Sequence, residues 1–310
     1  MVKVFIDGKE GTTGLRIFDR LIERGDLQLL MLEESQRKEL SARKEMLNSC
    51  DIAFLCLPDA AAEEAAELVE NDRIKLIDAS TAHRTLPSWQ YGFPELFEDG
   101  FALIKNAKRI AVPGCHASGF IALIYPLLQA GVLQKDALLT CHSVTGYSGG
   151  GKKMIAEYEA DERSNLLDAP RQYGITQQHK HLKEMRVITG LENAPVFCPI
   201  VAPFYSGMLV TVPLFRQQLQ KSYTMEDIRS IYREKYTFPL VRYQEAMDEN
   251  GFLSGCAMQN RDSMEISVCG NEDRILLIAR YDNLGKGASG AAIECMNIML
   301  GCDPLTGLKI

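Results

Sequence analysis

The chain of 310 residues is short of the features that mark several protein classes. Basic charge is scarce: 34 Lys and Arg face 41 Asp and Glu, for a net charge of -7. No basic run is interleaved with aromatics, so a nucleic-acid partner is not expected. No apolar run approaches the roughly 20 residues needed to span a bilayer, so no membrane partner is expected either. The opening "MVKVFIDG" reads as a strand entering a glycine turn and not as a signal peptide. Nine cysteines are present, but without CxxC pairs or His/Cys ligand spacing. That pattern excludes a disulfide frame and a zinc site and points to reduced thiols in a cytoplasmic protein, with no metal expected. Internal repeats and low-complexity tracts are absent.

What is present is enough sequence for two domains, 46% of it hydrophobic. The first hundred residues alternate strand and helix. "VKVFID", "LQLLML", "DIAFLCLP" and "IKLIDAS" are apolar strand-like runs. Between them, "GLRIFDRLIERG" places Leu15, Phe18, Leu21 and Ile22 at helical spacing, Ser35 to Leu47 reads as a helix capped by Ser35, and "DAAAEEAAELVEN" is an Ala-rich helix. Apolar strands alternating with helices predict an α/β domain of the Rossmann type, a doubly wound parallel sheet. After residue 113 longer strands follow one another with few helices, which predicts an α+β domain on a mostly antiparallel sheet. The terminal "GKGASGAAIECMNIMLG" reads as a helix returning to the first domain. The expected division is 1–113 with 285–310, and 114–284.

Between the first strand and first helix, "FIDGKEGTTGLR" spaces Gly8, Gly11 and Gly14 as G-x-x-G-x-x-G, with Thr12 and Thr13 inside the turn. Glycines there let the backbone approach a pyrophosphate held by helix N-terminal amides. After the second strand, "LEESQRKE" offers both acidic groups suited to a ribose hydroxyl, Glu33 and Glu34, and groups suited to a 2′-phosphate, Ser35, Arg37 and Lys38. The residues alone leave NAD and NADP open. Ser80 and Arg84 in "IDASTAHR" and the loop "GYSGGGKK", with Gly149 and Gly150, are candidate anion sites for a substrate.

In "IAVPGCHASGFIALIYP" a strand ends at Pro113-Gly114, Cys115 follows, and an apolar helix begins. A helix N-terminus favours the thiolate, so Cys115 is a candidate nucleophile, whereas the other eight cysteines read as buried thiols. A proton-transfer partner is available in "QQHKHLKEM", through His179 or His181; His116, His83 and His142 are lesser candidates.

Taken in order, "GTTGLR", "LPDAAAEEA", "IDASTAHR", "YGFPEL", "VPGC", "TGYSGGGKK", "HKHLKEM" and "YDNLGKGASGAAIECMN" resemble, from end to end, the shorter (type 2) N-acetyl-gamma-glutamyl-phosphate reductases of the semialdehyde dehydrogenase group. The resemblance implies Cys115 as nucleophile in an N-P-G-C-like motif, with Val112 in place of the Asn and His116-Ala117-Ser118 departing from the residues that usually follow. It matches an H-R-H-x-P-E motif to His179 through Glu184, leaning to His181 as the acid/base without excluding His179. It makes Leu57, Pro58, Asn283 and Gly287 cofactor candidates. It also implies NADPH as cofactor, a small-molecule acyl phosphate as substrate, and a homodimer or homotetramer.

Overall fold

Strands whose side chains are apolar on both faces need cover on both faces, and the N-terminal region is built accordingly. In a computed structural model describing all 310 residues, the chain divides into two units: Met1–Pro113 with Ala288–Leu308, and Gly114–Gly287 with Lys309–Ile310. In the first, β1 (Val2–Asp7), β2 (Leu27–Leu30), β3 (Ile52–Leu55), β4 (Lys75–Asp78), β5 (Gln90–Tyr91) and β6 (Arg109–Ala111) form a parallel sheet of order β2-β1-β3-β4-β6-β5. Helices α1 (Thr12–Leu21), α2 (Leu40–Ser49), α3 (Asp59–Glu67) and α4 (Gly100–Asn106) connect the strands, and a C-terminal helix, Gly290–Leu300, joins this unit. Val4, Ile6 and Phe54 pack with Ile17, Leu21, Ala292 and Met296. Their sequence neighbours Phe5, Ala53 and Leu55 pack with Leu47, Ala62 and Ala65 on the other side. The strand order reverses between β1 and β3, where open sheets of this kind bind ligands beyond the strands' carboxyl ends.

Two details differ from the sequence reading. In α1 the buried stripe is Gly14, Ile17 and Leu21, whereas Leu15 and Ile22 are exposed. Close packing of Gly14 against the Gly8 carbonyl, which a Cβ would approach to 2.5 Å, sets the helix's rotation. Helix α2 begins at Leu40, not Ser35, and residues 33–38 lie in turns. That stretch has no apolar side chain to bury, so packing does not hold it helical.

The second unit contains α5 (Cys115–Gln129), β7 (Thr140–Gly146), α6 (Gly151–Glu159), β8 (Arg171–Gln172), α7 (His181–Thr189), β9 (Val196–Ala202), β10 (Met208–Phe215), α8 (Met225–Lys235), β11 (Val241–Tyr243), β12 (Met264–Gly270) and β13 (Arg274–Tyr281). Its seven-stranded sheet runs β11-β12-β13-β10-β7-β9-β8. The sheet is mixed: β7–β9 and β11–β12 pair parallel, the remaining neighbours antiparallel. Helix α5 packs on β10 and β13 and is buried nearly all round, as its uniformly apolar sequence requires.

Pro126 lies inside α5 and has no N–H to offer the carbonyl of Ala122 four residues earlier. The Tyr236 hydroxyl donates to that carbonyl at 2.6 Å, and Tyr232 of α8 donates to the next one, Leu123, at 2.5 Å. Removing the Tyr236 hydroxyl therefore strands a buried acceptor. Tyr236→Phe is expected to destabilise the protein by about 1–3 kcal/mol. In a Pro126→Ala background, where the helix supplies its own N–H, the same change should cost clearly less; equal urea midpoint shifts in the two backgrounds would refute this account.

Candidate active site

Cys115 is the first residue of α5 and half-buried. Gly114 before it is extended at φ -74° and ψ 142°, and its N–H donates to Glu184 Oε1 at 2.7 Å. Glu184 is buried on α7, so a carboxylate from another helix ties down the backbone entering the thiol turn. The Tyr281 hydroxyl accepts from Gly119 N–H at 3.0 Å and donates to the Cys115 carbonyl at 2.5 Å, bracing the first turn of the helix. No acidic side chain of α5 itself occupies its first turn; the carboxylate at this helix end is Glu184, on the Gly114 N–H. The buried thiols are the contrast. Burial pushes Cys50 up to about 12, and drives Cys56 and Cys141 well above the ordinary range.

Around this turn, four rings and a serine converge. His116, buried on α5, holds Ser143 Oγ at 2.6 Å through Nδ1 and the Tyr173 hydroxyl at 2.6 Å through Nε2. Its ring centroid lies 5.6 Å from that of His181 and 6.0 Å from that of His179, which are themselves 4.8 Å apart. Burial in this cluster lowers the His116 pKa to about 3, with His179 adding a smaller like-charge effect. Burial also lowers His179, assisted by Lys180. The His179 Nδ1 accepts from the backbone N–H of His181 at 3.2 Å, so the proton of neutral His179 sits on Nε2. Burial raises the Tyr173 phenol, with the charge of Cys115 adding a smaller effect.

Beside the thiol, residues Gly285–Ser289 form a widened π-type turn, with Gly287 N–H reaching the Asp282 carbonyl at 3.1 Å. A Cβ at Gly287 would stand 3.2 Å from the Cys115 Cβ, so this glycine keeps the space beside the Cys115 side chain open. Asn283 accepts from Gly207 N–H at 2.8 Å and donates to Ser148 Oγ at 3.1 Å. Its amide thus braces the 147–150 turn, leaving Gly149 and Gly150 exposed at its end.

In the first unit, the glycine turn meets the requirements of a phosphate loop. Gly8 has φ +84°, and a Cβ on it would lie 2.3 Å from the Cys56 carbonyl. No side chain caps α1, whose first turn holds no acidic residue, and Thr12 Oγ1 is buried without a hydrogen-bond partner. A cradle that excludes Cβ atoms, uncapped amides and an orphaned hydroxyl fit a dinucleotide pyrophosphate. Leu57 lies against Gly8, and Pro58 is the cap of α3, on the β3 side of the sheet's reversal point. Ser35, Arg37 and Lys38 are exposed; Arg37 meets only Glu34, at 3.4 Å. Thr13 is half-buried in the first turn of α1.

The structure uses Ser80 and Arg84 differently from the simplest expectation. Ser80 is buried with its hydroxyl donating to Asp78 at 2.7 Å. Arg84 Nε donates to the Val112 carbonyl at 2.8 Å and an Nη to the Ala79 carbonyl at 3.1 Å, so the guanidinium braces loop backbone. Tyr173, Ser143 and Tyr281 were not singled out from sequence. A lone aromatic in the polar stretch "RQYGITQQ", six residues before His179, is the one signal that could have marked Tyr173.

Comparison with known proteins agrees with this division of labour. Residues 3–104 match the family described as "Semialdehyde dehydrogenase, NAD binding domain", and residues 115–283 match "Semialdehyde dehydrogenase, dimerisation domain". A protein of Rhizobium meliloti (strain 1021) named N-acetyl-gamma-glutamyl-phosphate reductase is 44% identical over 96% of this chain and 98% of its own. One of Nostoc sp., named N-acetyl-gamma-glutamyl-phosphate reductase 2, is 42% identical over 99% of each. Among solved structures, aspartate semialdehyde dehydrogenase from Francisella tularensis superposes with TM-score 0.72 over 97% of this chain and 100% of that one, at 16% identity. The Candida albicans enzyme with NADP gives TM-score 0.65 over 97% and 98%, at 14% identity.

The imidazole cluster carries a pH signature. A neutral buried His116 must unfold to take up a proton until the pH falls to about 3. The unfolded chain binds that proton at about 6.5. Between these values the unfolded state holds more protons, so stability is fully present above about pH 6.5 and declines as the pH drops. His179, lowered for the same reason, acts with the same sign. Urea midpoints measured from pH 7 to 4 should fall, with His116 contributing up to about 1.4 kcal/mol per pH unit. His116→Gln should flatten the slope; an unchanged slope would show that this imidazole is not held neutral.

Proposed function

The chain belongs to the N-acetyl-gamma-glutamyl-phosphate reductases of the semialdehyde dehydrogenase family, and from that premise we propose that it reduces N-acetyl-L-glutamyl 5-phosphate to the 5-semialdehyde with release of phosphate, a step of arginine biosynthesis. The observation that carries the reading is Cys115 at an uncapped helix N-terminus, clamped by Glu184 and Tyr281 beside clustered imidazoles. The Cys115 sulfur attacks the acyl carbon, the bond from that carbon to the phosphate oxygen breaks, and a thioester forms. A bound nicotinamide dinucleotide, held by the glycine turn of residues 8–14, would supply a hydride to that acyl carbon. Cys115 then leaves as the thiolate when the C–S bond of the thiohemiacetal breaks and the semialdehyde is released. His181 or His179 protonates the departing or developing oxygen, with His181 preferred because it is buried at the start of α7.

NADPH is the proposed cofactor. Of the basic residues following β2, Arg43 is buried and committed to Asp7 at 2.9 Å and Glu64 at 3.0 Å. Arg37 and Lys38 are exposed beside Ser35, and an exposed pair such as Arg37–Glu34 is worth at most about 1 kcal/mol. A 2′-phosphate can displace it. Gly8, Gly11, Thr12, Thr13 and Gly14 would hold the pyrophosphate, with Leu57 and Pro58 beyond β3. Gly149 and Gly150 are proposed to meet the substrate's anionic groups, backed by Ser148 and Asn283. A reducing, cytosolic setting suits nine cysteines none of which is in a disulfide, and no helix is long and apolar enough to cross a membrane.

A homodimer or homotetramer is proposed, formed through the sheet face that lacks helices. Leu209, Thr211 and Pro213 of β10 alternate with buried neighbours, pairing with Val144 and His142 on one side and Leu276 on the other. Phe215 is 62% exposed and Leu276 39%. Leu276→Asp should shift the protein to a smaller species in light scattering while its fold persists; a monomeric parent protein would remove the proposal.

The central test is an oxidative assay with N-acetylglutamate semialdehyde, run with and without inorganic phosphate and with NADP and NAD in parallel. We expect phosphate-dependent reduction of NADP, and its loss by at least about a thousandfold in Cys115→Ser, with nucleotide binding intact. Turnover without phosphate, faster turnover of a shorter semialdehyde, or an active Ser variant would each contradict the reading.

A further inference from the structure

Strands β11 and β12 are parallel neighbours, so the chain must cross over between them, and the crossover, residues 244–263, contains no helix. Its middle is built instead as a rigid arm. We propose that the turn around Phe252 is a docking arm for a second copy of this chain, meeting the Phe215–Arg274 end of that copy's sheet. The inference rests on the association through the bare sheet face proposed above, and it names the contact at the rim of that face.

The arm is set up by the sequence "MDENGFLSG". Asn250 and Gly251 stand at its centre with φ +52° and +85°. On either side Glu249 and Phe252 exchange backbone hydrogen bonds at 2.7 and 3.1 Å. A two-residue turn with both centres left-handed is a tight hairpin connection, and Asn-Gly is the pair that tolerates it. Two locks hold the turn. Asp248 Oδ2 accepts from Gly251 N–H at 2.6 Å. Glu249 Oε2 accepts from Ser254 N–H at 2.9 Å, and its Oε1 accepts from Arg280. The Arg280 guanidinium is buried and paired with Glu265 at 3.1 Å, so the arm is pinned to β13. What this rigid turn presents is Phe252, 77% exposed. A fixed turn loses little entropy on binding, and aromatic anchors are where association energy concentrates.

The sheet beneath shows how a second copy fits. Arg274, Leu276, Ile278 and Arg280 alternate onto the outer face of β13. Ile278 is 2% exposed and Leu276 39%, so this face is covered at the Arg280 end and bare at the other. The cover is the crossover itself: a Cβ on Gly255 would lie 3.9 Å from the Leu209 Cβ on β10. At the bare end, Phe215 and Arg274 are cross-strand partners, the ring exposed and the guanidinium exposed without an ion pair.

A two-fold dimer pairs one patch with itself. Aligned end to end, the two faces would set arm against arm and hold the bare ends apart. With the ends exchanged, each arm falls on the other copy's bare end. The chemistry matches there, with Phe252 on Phe215 and the acidic Asp248 toward Arg274. Both ends lie within residues 115–283, the part of the chain that matches a dimerisation domain.

Sedimentation equilibrium on the full chain reads the association, with circular dichroism as the check on fold. Phe252→Lys and Phe215→Asp are each expected to raise the dissociation constant at least about tenfold. The double variant Phe252→Lys/Phe215→Asp should recover most of that loss, since the introduced charges then face each other across the interface. Additive losses, or an unchanged dissociation constant in Phe252→Lys, would overturn the arm. Leu276→Asp keeps the two readings apart. Dissociation of that variant beside intact association of Phe252→Lys would leave the sheet face standing without the arm, whereas a monomeric parent protein would remove both.

Discussion

Everything chemical in the second unit depends on how the first turn of α5 is held. A helix cannot satisfy its own leading N–H groups. Glu184 takes the Gly114 N–H, and the Tyr281 hydroxyl touches both the Cys115 carbonyl and the Gly119 N–H. That approach is possible because residue 119 has no side chain. A Cβ there would come within 2.7 Å of the Tyr281 hydroxyl and of Val210. The position of the sulfur is therefore fixed from outside the helix, by one carboxylate on α7 and one phenol at the end of β13. Both anchors are buried, so neither bond competes with water.

The same burial has opposite consequences for different groups, and that separates their roles. Desolvation disfavours whichever form is charged. It makes Cys50, Cys56 and Cys141 inert thiols, and it keeps His116 a neutral imidazole. Cys115 is half-buried and begins a helix that has no acidic side chain of its own in the first turn. His116 is adjacent in sequence yet points into the protein, where it contributes a fixed dipole and no proton-transfer capacity near neutral pH. Adjacent residues on one helix thus sit in different electrostatic surroundings, because successive side chains leave a helix about 100° apart.

Much of this architecture is legible in the amino-acid sequence, for identifiable physical reasons. Apolar strands alternating with helices gave the doubly wound sheet, since only burial on both faces makes such strands tolerable. Gly8 and Gly14 stood out because the turn leaves no room for Cβ atoms, and Cys115 because Pro-Gly precedes an apolar helix. What stayed hidden depends on packing across long separations. Ser143 and Tyr173 lie 27 and 57 residues from His116, so no local pattern links them. The buried face of α1 is not given by hydrophobic spacing, because contact with the Gly8 turn rotates the helix. Arg84 looked like an anion ligand because sequence shows a side chain's type, but not the backbone carbonyls that claim it.

The seven-stranded sheet serves two purposes through a period of two. On β13, Tyr281 is buried and clamps the thiol turn. Its neighbour Arg280 is engaged with Glu265 at 3.1 Å and with Glu249. On β7, Ser143 is fully buried and His142 is exposed. On β10, Met208, Val210, Val212 and Leu214 are buried, and the residues between them are not. Sliding β13 by one residue would put Arg280 where Tyr281 stands, exchanging a hydroxyl relay for a cation. Register is consequently a functional quantity here. It is held by antiparallel pairing of β13 along its whole length with β10, and from Ile275 to Tyr281 with β12. The Arg280–Glu265 pair reinforces it from the face opposite the thiol, since those two residues are direct cross-strand partners. The outer face is therefore not independent of the inner one: the ion pair that locks it also keeps Tyr281 on the Cys115 carbonyl.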